Sequence, residues 1–195
     1  MGFYENDDFL ALAQAAGKVD TRTLVLVLLG GDAGLRRGEM IGLRWSDVDF
    51  RRRQITVRQS AWKDTMGVPK GGHERIVEMT AALHDALKRH QHLRSERVLC
   101  CDDGSPSTPK MLRCWIAVAQ RRANLPHAGA IHILRHTFCS RLAMAGAPAR
   151  AIQEAAGHAD LSTTMRYMHL APAARADAIR LLDGYGAAPA RAANS

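Results

Sequence analysis

The chain has 195 residues, a formal net charge of +8 and a hydrophobic share of 47%. This length holds one domain, with room for a small appendage, and the composition fits a globular soluble protein. The positive charge points to an anionic partner, nucleic acid before a membrane surface, and the apolar run Leu24 to Leu29 is too short to span a bilayer.

Cys100, Cys101, Cys114 and Cys139 form no Cys-x-x-Cys pair, so they read as reduced thiols of a cytosolic protein rather than a disulfide frame or a zinc site. The N-terminal stretch carries Glu5, Asp7 and Asp8 without a basic segment, which argues against a secretory signal.

In chain order, residues 8–16 read as a short helix ended by Gly17. Asp20 or Thr21 then caps a strongly apolar, buried helix that runs to about Leu29, where Gly30, Gly31 and Gly34 break the pattern. Arg36 follows a glycine turn and precedes a helix that begins near Glu39 and carries Met40, Ile41 and Leu43. A guanidinium held there suits a phosphate, because its planar fork donates two parallel hydrogen bonds and stays charged.

From Ser46 the period changes to strands around Val48, Phe50, Ile55, Val57, Ile76 and Val77. The glycine- and proline-rich segment from Trp62 to Glu74 reads as a mobile hairpin tip. Lys70 on that tip reads either as a solvated surface charge or as a group that could swing onto a DNA backbone and donate a proton to a leaving oxygen, with Lys63 as its competitor.

An amphipathic helix is expected over residues 80–93. His84, His90 and His92 within it lack the Cys or carboxylate cluster that a metal site needs. A strand at Val98–Cys100, a loop from Asp102 to Pro109 and a helix to Ala123 follow, the last with Met111, Leu112, Trp115, Ile116 and Ala119 facing inward. Lys110, Arg113, Arg121 and Arg122 on it suit phosphates or a solvated face equally.

A loop from His127 to Ile133 leads into a helix from about Leu134 to Ala145. The three-residue step from His132 to Arg135 sets both on one side of the helix start, where free N–H groups favour an anion. Pro148 opens a helix closed by Gly157. Asp160 or Ser162 can cap a short helix carrying Tyr167, a hydroxyl able to act as a nucleophile once activated. Pro172 starts a last amphipathic helix to about Leu182, and residues 184–195 read as a flexible tail.

Four words in this order resemble the tyrosine recombinases of the phage integrase family. They are Gly-Leu-Arg-Arg-Gly-Glu with Leu-Arg-Trp-Ser-Asp-Val-Asp, Pro-Lys-Gly-Gly-His-Glu-Arg, His-Ile-Leu-Arg-His, and Gly-His-Ala-Asp-Leu-Ser-Thr-Thr-Met-Arg-Tyr. The resemblance spans roughly residues 8 to 183 and implies an α+β fold, mainly helical with a small antiparallel sheet. It also implies site-specific recombination of double-stranded DNA without a metal or other cofactor.

Residue by residue, the resemblance implies that Tyr167 attacks the scissile phosphodiester, leaving a 3′-phosphotyrosyl link and a free 5′-hydroxyl. Arg36 and Arg135 would hold the non-bridging oxygens, Lys70 would protonate the leaving oxygen, and His132 would help proton transfer at the nucleophile. His158 would hydrogen-bond the phosphate, and Glu39 would support the arginines from behind. The resemblance further implies a homotetramer on synapsed DNA, a C-terminal helix (about 172–183) exchanged between protomers, and a possible directionality or host factor.

The chain departs from the family in three places. The amino-terminal core-binding domain that usually clamps the other face of DNA has no counterpart, so residues 1–183 are expected to be the catalytic domain alone. Ala155-Ala156 and Glu78 stand where the family favours a leucine, often followed by glycine, and a proline. The competing readings are a truncated DNA-binding remnant without activity, a type IB topoisomerase-like relaxing enzyme and, below both, a metal-dependent nuclease.

Overall fold

The computed structural model describes residues 2–58, 60–62, 65–67, 74–126 and 131–172, with backbone alone for 60–62 and 65–67. Lys63, Lys70, residues 127–130, most of the expected last helix and the expected tail lie outside the described residues.

The chain begins with α1 (Asn6–Gly17) and α2 (Thr21–Gly31). The Asp20 carboxylate caps α2 by accepting from the Thr23 N–H at 2.6 Å. Val25 to Leu29 are all buried, so α2 is the central rod of the core. Gly30 and Gly31 do not break this helix: they lie in its last turn. A Cβ on Gly30 would meet Leu134 at 2.5 Å and one on Gly31 would meet Phe9 at 2.0 Å, so their smallness is spent on close helix packing.

The short helix α3 (Arg37–Gly42) follows, and a 3-10 turn at Trp45–Asp47 leads into the strands. β1 (Val48–Asp49), β2 (Gln54–Val57) and β5 (Arg75–Glu78) form an antiparallel sheet in the order β1-β2-β5, with Ile55 opposite both Val48 and Val77. Ile55, Val57 and Val77 are buried, as period-2 alternation requires. β3 (Ser60–Trp62) and β4 (Thr65–Gly67) pair as a separate antiparallel hairpin, so part of the expected mobile tip is a regular ladder. Phe50 lies in the turn between β1 and β2 rather than in a strand.

The remaining described elements are α4 (Ala81–His90), α5 (Pro109–Arg122), α6 (His132–Met144), α7 (Ala149–Ala156) and α8 (Leu161–Met165). Two expectations fail here. Val98–Cys100 forms no strand: the pairing there is limited to isolated bridges, Arg44 with Arg97, made by the Val98 N–H to the Leu43 carbonyl and the Trp45 N–H to the Glu96 carbonyl, and Cys100 with Pro106. On α5, Leu112, Ile116 and Ala119 are buried as expected, but Met111 is exposed and Trp115 is partly buried, carrying the Arg22 guanidinium over its ring at 4.4 Å.

One large apolar cluster joins α1, α2, α4, α5 and the three-stranded sheet. A second, smaller cluster of Phe138, Cys139, Ala143, Ile152, Ala156 and Tyr167 holds α6, α7 and the segment after α8 together. Among the described residues no helix is long and apolar enough to cross a membrane.

Candidate active site

Glu39 is the anchor of the site. It is 1% exposed, and its carboxylate accepts from the Arg36 backbone N–H and from Arg36 Nη1, both at 2.8 Å. Arg75 closes the other side with a two-pronged grip, Nη1 to Oε1 at 2.8 Å and Nη2 to Oε2 at 2.7 Å. Burial alone would raise the Glu39 carboxyl, but the hydrogen bonds and charge of Arg75, then those of Arg36, hold it down at about 2. One buried carboxylate therefore fixes a guanidinium just before α3 and another on β5.

Two glycines bring the other guanidinium contacts within reach. Gly157 ends α7 in the left-handed region, φ 66°, and its carbonyl accepts from Arg36 Nη2. A Cβ there would lie 2.8 Å from Arg75 Cδ, so only glycine fits between the two arginines. Gly34, φ 62°, turns its carbonyl to Arg135 Nη1 at 2.5 Å, and its missing Cβ leaves room for Phe138.

Arg135 is 5% exposed, and its second terminal nitrogen, Nη2, is buried with no hydrogen-bond partner among the described residues. Burial and then the charge of Arg36 lower its guanidinium to about 10, so it keeps its proton at neutral pH.

His132 is the first residue of α6 and is exposed, two positions earlier than the helix was expected to begin. Partial desolvation, then Arg135, Arg37 and Arg36, lower its imidazole. His158 follows the Gly157 turn, and its Nδ1 lies 2.8 Å from the buried Thr164 hydroxyl. Burial and then Arg135 and Arg36 push it down to about 4, which keeps it neutral.

Tyr167 lies past the end of α8, between that helix and a 3-10 turn at Met168–Leu170, not inside a helix as expected. It is 5% exposed, and the His158 ring lies parallel to it, 5° between planes and 6.3 Å between centroids. Its hydroxyl is 2.6 Å from His136 Nδ1. Burial and the neighbouring Cys139 thiol raise the phenol to about 12. Burial likewise raises Cys139 to about 11, against the opposing pull of Arg135 and the Tyr167 hydroxyl.

The structure thus gathers Arg36, Glu39, Arg135, His158 and Tyr167 from four separate segments, with His132 at the rim. Lys70 is outside the described residues. Sequence reasoning missed Arg75 and His136. Arg75 closes the same seven-residue word as Lys70, in the strand that leaves the hairpin, and His136 directly follows Arg135, so each was within a word already singled out. What the words lacked was the side-chain direction.

The sequence model of the Phage integrase family matches residues 3–174. Tyrosine recombinase XerC of Thermodesulfovibrio yellowstonii is 31% identical over 183 residues, covering 86% of this chain and 58% of that protein. The crystal structure of XerA recombinase superposes with a TM-score of 0.75 at 25% identity, over 96% of this chain and 66% of that one. The Tn1549 transposon integrase, solved in complex with transposon right end DNA, gives a TM-score of 0.74 at 25% identity over the same shares. The chain spans about half the length of the curated relatives it matches.

Proposed function

The chain belongs to the phage integrase family, and from that premise we propose that it cuts and rejoins double-stranded DNA through a covalent phosphotyrosyl link, as the catalytic domain of a site-specific recombinase. One observation carries the reading. Arg135 keeps a buried, charged guanidinium nitrogen that has no partner among the described residues, in the cluster that holds Arg36 and Tyr167. Leaving such a donor unsatisfied costs about 1–3 kcal/mol or more, and a phosphate oxygen would satisfy it.

In this reading Tyr167 attacks the phosphorus and the 5′-oxygen leaves. Arg36 and Arg135 hold the non-bridging oxygens as charge builds on them, and His158 adds a hydrogen bond. A donor already aimed at that charge lowers the barrier by ~3 kcal/mol. Glu39 and Arg75 keep Arg36 from swinging away. Lys70 protonates the leaving oxygen, and the family resemblance gives His132 the proton transfers at the nucleophile. The link stores the phosphodiester bond, so the strand can be rejoined to a new 5′-hydroxyl without ATP. DNA is the partner, and synapsed duplexes held by four copies are the assembly.

Supercoiled plasmid in EDTA at low salt tests the reading. The wild-type chain should relax it and leave protein attached to DNA after denaturation, while Tyr167→Phe should do neither. Relaxation by Tyr167→Phe, or relaxation that EDTA abolishes, would refute it.

A further inference from the structure

We infer that His136, rather than His132, is the group that takes the proton from Tyr167 when it attacks. The inference rests on the strand-cleavage reading above and adds a residue that the sequence words left without a role.

The geometry isolates His136. Its Nδ1 is 2.6 Å from the Tyr167 hydroxyl, the distance of a strong hydrogen bond to a phenol. The phenol's raised affinity for its proton makes the hydroxyl the donor, so Nδ1 accepts and Nε2 carries the imidazole proton. Burial, then the charges of His132 and Arg135, lower the His136 imidazole and keep it an acceptor at neutral pH.

The other neighbours of the hydroxyl are unsuited. Arg135 only donates. Cys139, raised to about 11, stays a thiol. The His158 ring is parallel to the phenol but 6.3 Å from it between centroids, and its Nδ1 is bonded to the Thr164 hydroxyl. His132 is exposed, and its ring centroid is 6.3 Å from that of His136, one helical turn further from the tyrosine.

The step balances. The Tyr167 proton moves to His136 Nδ1 as the bond from the phenol oxygen to phosphorus forms and the bond from phosphorus to the 5′-oxygen breaks. The leaving oxygen takes its proton from a separate acid, Lys70 in the reading above. On rejoining, the 5′-hydroxyl attacks phosphorus and gives its proton back to that same acid, while the bond from phosphorus to the Tyr167 oxygen breaks and His136 returns its proton to the phenolate. The titratable and charged groups facing His136 among the described residues are His132, Arg135 and Cys139 on α6, and His158 and Tyr167 from the segment around α8.

Two measurements on the full chain decide it. Nitrogen NMR of the imidazoles at neutral pH should show His136 Nδ1 unprotonated, with a shift that changes in Tyr167→Phe. A protonated Nδ1 would overturn the inference. Covalent adduct formation on supercoiled plasmid in EDTA, stopped with detergent, gives the rate. The wild-type rate should fall as the pH drops through the His136 titration. His136→Gln and His136→Asn should each lower it about a hundredfold or more and remove that pH limb, while His132→Gln keeps the limb. Wild-type rates and pH profile in both His136 variants would overturn the inference. If the wild-type chain forms no Tyr167-dependent adduct, the strand-cleavage reading fails and the catalytic use of His136 fails with it, while the NMR result still decides which group donates.

Discussion

Arg75 shows how much one side chain can carry. Its two terminal nitrogens bind both oxygens of a carboxylate that is 1% exposed. Removing one partner of a buried pair leaves the other charge without compensation, which typically costs ~3–5 kcal/mol. Arg75→Gln should therefore destabilise the fold by about that much in urea titration, and Arg75→Lys by less, because a point charge cannot reproduce the fork. An Arg75→Gln midpoint equal to wild type would mean that Arg36 alone suffices for Glu39. The sequence marked Arg36 and Glu39 because they share a word. It left Arg75 aside because the contact joins residues 36 positions apart in the chain.

At the scale of elements, the site is assembled where helices end. Arg36 precedes α3, His132 opens α6, Gly157 closes α7 and Tyr167 follows α8. The turn at Gly157 couples two of these ends, since its carbonyl meets Arg36 and its bare Cα faces Arg75. Gly157→Ala should lose ~1 kcal/mol or more to the left-handed backbone and displace Arg75 besides. The expected outcome is a lower melting temperature together with a slower adduct rate on plasmid DNA. A variant that is less stable yet fully active would show that the carbonyl contact to Arg36 does not matter for the chemistry. Helix boundaries were largely legible from caps and periodicity, Asp20 before α2 among the caps. The segment around Tyr167 was not, because packing against Phe138, Ile152 and Ala156 sets where that helix stops.

For the whole molecule, several groups give up protons on folding. His90 is 4% exposed with Nδ1 on Thr21 and Nε2 on the Val98 carbonyl, and burial holds it at about 4. His158 is likewise held at about 4 and Glu39 at about 2. All three are below their unfolded values, so the unfolded chain binds more protons and stability rises with pH. The urea midpoint should hold steady between about pH 6.5 and 8, fall as the histidines charge toward pH 4, and fall again as Glu39 protonates between about 4.5 and 2. A midpoint unchanged from pH 7 to 4 would contradict this account. The four words that hold Arg36, His132, Arg135, His158 and Tyr167 were legible in the sequence, because caps, apolar period and local motifs are properties of neighbouring residues, and the fold class came from the family resemblance those words carry. Only the tertiary structure decided that Arg75 grips Glu39 and that His136 meets the Tyr167 hydroxyl, because those contacts depend on how distant segments pack and which way their side chains point.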